Sequence, residues 1–167
     1  EKGILQSIRN NYSLSANFLD NYYESYEKMF VSSFLWCYSI RNTYENGEGW
    51  NKEDFSIIGP DQKPRGELAW SRPYPRALSG KPVSMHFYSD YHYYDPEKGI
   101  PDPRREFELV FSSKETDAPT VIYVPNAQYP DGFHVWLSDG WMAWDQADQV
   151  MYYYPTNDLP EDRKSVV

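Results

Sequence analysis

The chain has 167 residues, of which 40% are hydrophobic and 18% aromatic, which is sufficient for a packed globular core. The formal net charge of −9 argues against a nucleic-acid partner, because neutralising phosphates requires a basic face. No apolar run is long enough to span a bilayer, so we expect no transmembrane segment. The acidic balance suits a solvated surface and would suit an acidic compartment. We expect a secreted protein, or one of an acidic compartment of the lysosomal or vacuolar type.

The first predicted element is an amphipathic helix. Apolar side chains recur at helical spacing and form one stripe, made of Leu14, Phe18, Tyr22, Tyr26 and Met29. This stripe is interpreted as the side of the helix that packs into the core. Acidic residues fill the opposite face, namely Asp20, Glu24 and Glu27.

A buried strand is predicted next, over residues 31–38. The run is apolar on both faces, which is typical of strands covered by helices. Cys37 lies within it and is interpreted as a small core residue, and a lone cysteine excludes an intrachain disulfide. A helix followed by a doubly buried strand is typical of one unit of a parallel barrel or sheet. One unit cannot close a barrel, so we expect partner strands from elsewhere.

The composition changes after this unit. Residues 59–82 are rich in Pro, Gly, Arg and Lys and are predicted to be a linker lying on a surface. Six short strands are predicted beyond it, at 83–91, 106–112, 120–124, 133–137, 142–145 and 150–154. Asp139-Gly140 is a strong hairpin signal between two of them. We therefore predict an antiparallel β-sandwich over 83–155 and an extended tail over 156–167.

Candidate metal and acid/base groups are weak in this sequence. His86, Asp90 and His92 share one face of a predicted strand, but a rise of ~3.3 Å per residue spreads them apart. We interpret them as an exposed polar face and predict no metal. Glu53 and Asp54 are neighbours that point apart, whereas a glycosidase needs two facing carboxylates, roughly 5–5.5 Å apart for retention or further apart for inversion. A hydrogen bond to sugar hydroxyls, or a structural role in the loop, is the preferred interpretation of this pair.

Trp36 stands at the outward end of the predicted strand. An indole there offers a flat apolar face that matches the C–H face of a pyranose ring. An ordinary core tryptophan is an equally good interpretation of the residue alone. Asn11 begins an N-glycosylation sequon with Tyr12 and Ser13, which is meaningful only in a secretory protein.

Five segments carry a family resemblance. They are SFLWCYS at 33–39, GEGWNKEDFS at 47–56, SRPYPRALSGKP at 71–82, APTVIYVP at 118–125 and YPDGFHVWLSDG at 129–140. In this order they resemble the C-terminal third of endoglycoceramidase-like enzymes of glycoside hydrolase family 5, including the fungal steryl-glucosidase branch. The resemblance implies an α/β part and an all-β part. Residues 1–58 would hold the last helix, last strand and active-site loop of a (β/α)₈ TIM barrel, followed by the linker and the sandwich.

The resemblance also implies roles for particular residues. Trp36 matches the tryptophan that stacks on the sugar beside the scissile bond. Trp50, Asn51, Glu53 and Asp54 match a loop at the mouth of the active site and are predicted to bind substrate. Both catalytic glutamates of the family lie on earlier strands, and Glu1 lacks the sequence context of the nucleophile. We therefore expect no catalytic residue on this chain, and an N-terminal barrel partner that carries both glutamates.

The function implied is that of a retaining β-glycosidase acting on glycolipids of the glucosylceramide, oligosaccharyl-ceramide or steryl-glucoside type. It would work by double displacement, without a cofactor. Cys37, Glu48 and an insertion at 95–105 depart from the family pattern and leave the sugar and the aglycone open. The alternatives are a non-catalytic carbohydrate- or lipid-binding sandwich, or a structural protein that retains the fold. Peripheral membrane contact through Tyr91, Tyr93, Tyr152 and Tyr154 is a further interpretation, to which packing is preferred.

Overall fold

The computed structural model describes residues 12–43, 45–47, 53–90, 104–113, 116–156 and 162–166. This part of the chain contains two helices, α1 Ser13–Met29 and α2 Glu67–Trp70. It also contains eight strands, which are β1 Tyr74–Ala77, β2 Gly80–Tyr88, β3 Glu106–Ser113, β4 Thr120–Tyr123, β5 Trp136–Leu137, β6 Trp141–Asp145, β7 Val150–Tyr154 and β8 Asp162–Val166. Neither helix combines the length and the apolar character that a membrane span requires.

The strands form two antiparallel sheets of four. The first sheet has the order β1-β4-β7-β6 and the second has the order β2-β3-β8-β5. Alternate side chains of both sheets meet in one core, made of Phe87, Phe107, Leu109, Phe111, Ile122, Val124, Met151 and Tyr153. All-antiparallel pairing around a shared apolar core confirms the predicted sandwich part of the fold.

The sandwich draws on more of the chain than the predicted strands. β1 lies inside the segment 59–82 that we predicted to be a linker, and β8 lies inside the tail 156–167. The hairpin predicted at Asp139-Gly140 is wrong, because β5 pairs with β8 in one sheet while β6 pairs with β7 in the other. The turn is present, and Gly140 adopts a φ of 73° within it. This turn connects β5 of the second sheet to β6 of the first sheet.

Helix α1 packs on the sandwich through its acidic side, contrary to the expectation from its stripe. Asp20 and Glu27 are buried, whereas the side chain of Phe18 is 64% exposed. The physical reason lies in the neighbour of the helix, which is β2 at the edge of the second sheet. An edge strand presents unpaired backbone groups, and these need polar partners rather than apolar ones.

Residues 31–38, predicted to be a buried strand, belong to neither sheet. Their apolar side chains are largely exposed, and that of Phe34 reaches 96%. Cys37 is the point where this segment meets another part of the described chain, through backbone hydrogen bonds to Phe55 and Ile57. A strand that is apolar on both faces needs neighbours on both sides. In the described part of the chain, the backbone pairing of this segment with a later one is at Cys37, on one side only.

Candidate functional site

The candidate site is built around Trp36. Its side chain is 71% exposed at the end of the extended segment that follows α1, and the peptide bond between Trp36 and Cys37 is cis. Directly after it, the N–H of Cys37 donates to the carbonyl of Phe55 at 3.2 Å. The N–H of Ile57 donates to the carbonyl of Cys37 at 2.9 Å. The backbone beside the indole is therefore tied to the loop at 53–57.

Ser56 makes a second attachment of this loop. Its hydroxyl accepts from the N–H of Ser39 at 2.9 Å and donates to the carbonyl of the same residue at 2.8 Å. On the same side, the amide of Asn42 contacts the sulfur of Cys37 at 3.6 Å. These bonds lock the chain on the C-terminal side of Trp36, so the indole stands on a fixed backbone.

Arg65 holds the loop from the other side. One guanidinium nitrogen lies 2.7 Å from each carboxylate oxygen of Asp54, and both side chains are almost covered. The backbone N–H of Arg65 also donates to the carbonyl of Ile57 at 2.9 Å. The indole N–H of Trp70 donates to the carbonyl of Arg65 at 3.0 Å. Arg65 thus connects the loop to α2, and charge-assisted bonds of this kind are the stronger ones.

Sequence reasoning did not single out Arg65, which counted there only as one of several basic residues in the linker. Arg65 comes eleven residues after Asp54 and can reach back to it only if the chain turns between them. The structure contains such a turn, in which the N–H of Gly59 donates to the carbonyl of Lys63 at 2.8 Å. Spacing alone could not show that the chain folds back there.

The other predicted site residues have different outcomes. Glu53 is exposed next to the bound Asp54. Trp50, Asn51 and the sequon residue Asn11 lie outside the described residues. Because Asp54 is bound by Arg65, Glu53 and Asp54 do not provide the facing pair of carboxylates that glycoside cleavage requires.

A buried charge cluster lies where α1 meets the sandwich. The guanidinium of Arg72 donates to Asp20 at 2.5 Å, to Glu27 at 2.7 Å and to the carbonyl of Phe87 at 3.2 Å. Glu27 in turn accepts from the N–H of Phe87 at 3.0 Å, and Asp20 accepts from the hydroxyl of Ser89 at 2.5 Å. One arginine therefore satisfies two carboxylates of the helix and one end of the β2 edge.

Burial sets the protonation behaviour of this cluster. Desolvation raises the pKa of Glu27, and the nearby guanidinium of Arg72 and the bond from Phe87 oppose that rise. Removing Arg72 would leave two carboxylates with no cation in an apolar setting. The cluster thus couples the position of α1, and of the segment that leads to Trp36, to the sandwich.

The residues considered for a metal have separate partners. His86 lies 3.9 Å from Glu27 and packs against the ring of Tyr88, while Asp90 is bound by Arg105. His92 lies outside the described residues. Within the described ranges, no three His, Cys, Asp or Glu side chains are grouped closely enough to hold a metal ion.

A cavity of about 650 Å³ opens between the end of α1 and the sandwich. Its wall includes Phe30 and Ser33, which follow α1 in the chain, and Tyr74 and Tyr123 from the first sheet. Arg72 also contributes to the lining. The cavity has an aromatic wall and a charged group at its side, a combination that suits a ligand with both apolar and polar groups.

Comparison with known proteins agrees with this architecture. The model of the glycoside hydrolase family 5 C-terminal domain matches residues 72–167, which is more than half of the chain. The chain therefore belongs to this family. This confirms the resemblance found in the sequence, and the matched segment contains all eight strands of the sandwich.

Individual relatives match as well. The ergosteryl-β-glucosidase of Saccharomyces cerevisiae is 44% identical over 57 residues, which are 34% of this chain and 8% of the relative. Sterylglucosidase 1 of Cryptococcus neoformans has a similar structure, with a TM-score of 0.70, 20% identity and 89% of this chain covered. Endo-glycoceramidase II of Rhodococcus sp. follows with a TM-score of 0.61, 17% identity and 90% coverage. The chain spans only 23% and 29% of these two structures.

Proposed function

We propose that this chain is the C-terminal part of a larger retaining β-glycosidase. In this proposal α1 and residues 31–38 complete a (β/α)₈ barrel, and both catalytic glutamates come from the N-terminal part of the same enzyme. The family match and the far greater length of the structural relatives support the proposal. The sandwich would brace the barrel through the Arg72 cluster.

The exposed apolar surface of residues 14–55 is the observation that carries this proposal. Ten large apolar side chains are exposed along residues 14–55, and they are Leu14, Phe18, Tyr22, Met29, Val31, Phe34, Trp36, Tyr38, Ile40 and Phe55. Proteins that function as monomers rarely leave such a large apolar area in water. The remaining strands and helices of a barrel would cover both the stripe of α1 and the two faces of the extended segment.

Trp36 is proposed to be the sugar-stacking platform of the active site. Its exposed indole and its fixed backbone support this role, since a platform must hold its orientation while substrate binds. Glu53, Trp50 and Asn51 are proposed to contact substrate from the loop. Asp54 would contribute through its bond to Arg65, by fixing the shape of that loop.

The proposed substrates are β-glycosides of lipids, such as glucosylceramide, oligosaccharyl-ceramide or steryl glucoside. The proposal extends to this chain what the names of a sterylglucosidase and an endo-glycoceramidase describe. The reaction would proceed by double displacement, with one glutamate as nucleophile and the other serving first as acid and then as base. Function in a secreted or acidic compartment, and peripheral contact with a membrane, belong to the same proposal.

A non-catalytic sandwich module is the second candidate. The aromatic wall of the 650 Å³ cavity favours binding of a ligand by the sandwich itself. This alternative does not account for the exposed surface of α1 and of residues 31–38, because a binding module has no use for one unit of a barrel. The enzyme proposal accounts for both regions.

The test is a substitution in the complete protein. Trp36→Ala should lower kcat/KM for steryl glucoside by about 10–100-fold, because stacking that strengthens in the transition state is lost. Trp136→Ala is the matched control, since this tryptophan is also more than half exposed but lies on the sandwich. Absence of β-glycoside hydrolysis by the intact protein, on steryl glucoside, glucosylceramide and an aryl β-glucoside alike, would refute the proposed function.

A further inference from the structure

The outer face of the first sheet is aromatic where a solvent-facing surface is expected to be polar. Ile122, Met151 and Tyr153 point into the core, so the residues that alternate with them point outward. Through the cross-strand register this outward set contains the rings of Tyr74, Tyr123, Trp141, Tyr152 and Tyr154, together with Ala77, Val121, Ala143, Asp145 and Val150. We call this surface the aromatic face. An antiparallel sheet usually has one apolar and one solvated face, and this sheet departs from that pattern.

The rings on the aromatic face are ordered by contacts with one another. Trp141 and Tyr154 stack with centroids 4.1 Å apart and planes 10° from parallel. Tyr74 and Tyr123 form a tilted pair at 5.4 Å, and the guanidinium of Arg76 lies 5.0 Å from the ring of Tyr123. The rings are therefore held in place before any ligand arrives, which lowers the entropic cost of binding.

The two ring pairs lie at opposite ends of the aromatic face. Their outermost rings, Tyr74 and Trp141, lie on the two edge strands and four residues apart along the strands, which corresponds to a diagonal of roughly 20 Å. The indole of Trp141 is 56% exposed at one end, and Tyr74 is also exposed at the other. Tyr74 and Tyr123 line the 650 Å³ cavity as well, so that end of the face leads into a concave site. The shape suits an extended ligand rather than a single small one.

The chemistry of the aromatic face selects the ligand. Each ring of the set is a tyrosine or tryptophan with a polar tip, and its other members are aliphatic apart from Asp145. The carboxylate of Asp145 accepts from the N–H groups of Ala147 and Asp148 at the end of β6. Among the residues that the structure describes, Arg76 alone places a cation over these rings, which is too little positive charge for a phosphate-rich partner. A ligand that offers flat C–H surfaces edged with hydroxyl groups matches such rings. We propose that the aromatic face binds a neutral glycan chain.

The experiment uses the complete protein with Trp36→Ala as background, so that sugar stacking at the barrel is removed. This protein is applied to an array of immobilised neutral glycans, in parallel with Trp141→Ala and Trp141→Ala/Tyr154→Ala versions. We expect binding to at least one extended neutral glycan, a loss of at least tenfold in apparent affinity for the double variant, and a smaller loss for the single variant. Trp136→Ala is the control, because it removes a similarly exposed tryptophan from the other sheet.

Several outcomes would overturn the proposal. Failure to bind any neutral glycan on the array, or unchanged binding by the folded double variant, would do so. Binding to phosphatidylcholine vesicles without glycolipid that is lost in the double variant would identify the aromatic face as a bilayer contact instead. Protection of Trp141 from oxidative footprinting in the complete protein without ligand would show that another part of the polypeptide covers it. None of these readouts depends on glycoside cleavage, so the proposal can fail separately from the proposed function.

Discussion

The two regions of this molecule differ in whether their large apolar side chains are buried or exposed. Between Arg72 and Tyr154 the chain closes a core in which Phe87, Phe107 and Phe111 are fully buried. Between Leu14 and Phe55 it leaves most of its large apolar side chains in solvent. The difference teaches that the sandwich buries its own core, whereas the helix and the extended segment leave an apolar surface that the proposed barrel would cover.

The Arg72 cluster connects these two regions. Removing its arginine should therefore have the largest effect on the free energy of unfolding. Arg72→Met should lower the free energy of unfolding by about 3–5 kcal/mol, because Asp20 and Glu27 would remain buried without their cation. Denaturant unfolding should then show loss of helical circular dichroism before loss of the sandwich tryptophan fluorescence. Arg104→Met is the control, since this arginine is 43% exposed and should cost less than about 1 kcal/mol.

A single concerted transition with the stability of the parent chain would contradict this role of Arg72. It would mean that α1 is held on the sandwich by other contacts. The cation–π contacts of the Arg72 guanidinium with Phe87 and Tyr23, at 4.8 and 5.2 Å, are lost in the same variant. They therefore cannot explain retained stability.

Substitution of one phenylalanine from each region tests this comparison directly. Phe111→Ala in the sandwich core should cost about 3–4 kcal/mol in this chain, through lost burial and the cavity left behind. Phe34→Ala should cost almost nothing in this chain, because the side chain is 96% exposed. In the complete protein, however, Phe34→Ala should cost about 2–4 kcal/mol, if the remaining barrel covers this residue.

The measurement is denaturant unfolding of four variants, which carry either Phe34→Ala or Phe111→Ala in this chain or in the complete protein. Each variant is compared with its unsubstituted parent. Equal, near-zero effects of Phe34→Ala in both settings would refute the idea that residues 31–38 are one side of a barrel interface. Phe111→Ala serves as the internal standard, since its environment lies within the sandwich and should be similar in both settings.

Local pattern was sufficient to predict the sandwich but not the way the regions join. Strand β7 was predicted with its observed bounds, 150–154, because alternation and flanking turns specify a strand locally. The partner of each strand is a long-range property, and for that reason Asp139-Gly140 was assigned to a hairpin although it links two sheets. The side of α1 that meets the sandwich was not predicted, for the same reason. The apolar stripe indicates a buried face, but only the position of Arg72 shows that the acidic side meets the sandwich.

The site shows the same division. Trp36 could be proposed from its place at the end of an apolar run, and the loop residues from the family resemblance. Arg65 and Ser56 could not, because their importance comes from hydrogen bonds to Asp54 and Ser39 that the sequence does not encode at a fixed spacing. A residue that positions another residue is visible only once the chain has folded back on itself.

The smallest expected effect is the pH dependence of the stability that Glu27 contributes to the Arg72 cluster. Burial raises the pKa of Glu27, so the folded state holds this proton more tightly than the unfolded state. The stability that Glu27 contributes relative to glutamine is therefore fully present below about pH 4.5, the ordinary value, and is lost as pH rises through the folded pKa.

Unfolding free energies of the parent chain and Glu27→Gln, measured from acidic to neutral pH, test this sign. The advantage of the parent over Glu27→Gln should shrink as pH rises above about 4.5. The same comparison for Glu24→Gln, on the same helix, corrects for the removal of one negative charge. An advantage that grows with pH would show that attraction to Arg72 outweighs desolvation. The pair of Glu27 and Arg72 would then strengthen towards neutral pH, whereas the burial of Glu27 predicts that the contribution of this residue is largest in acid.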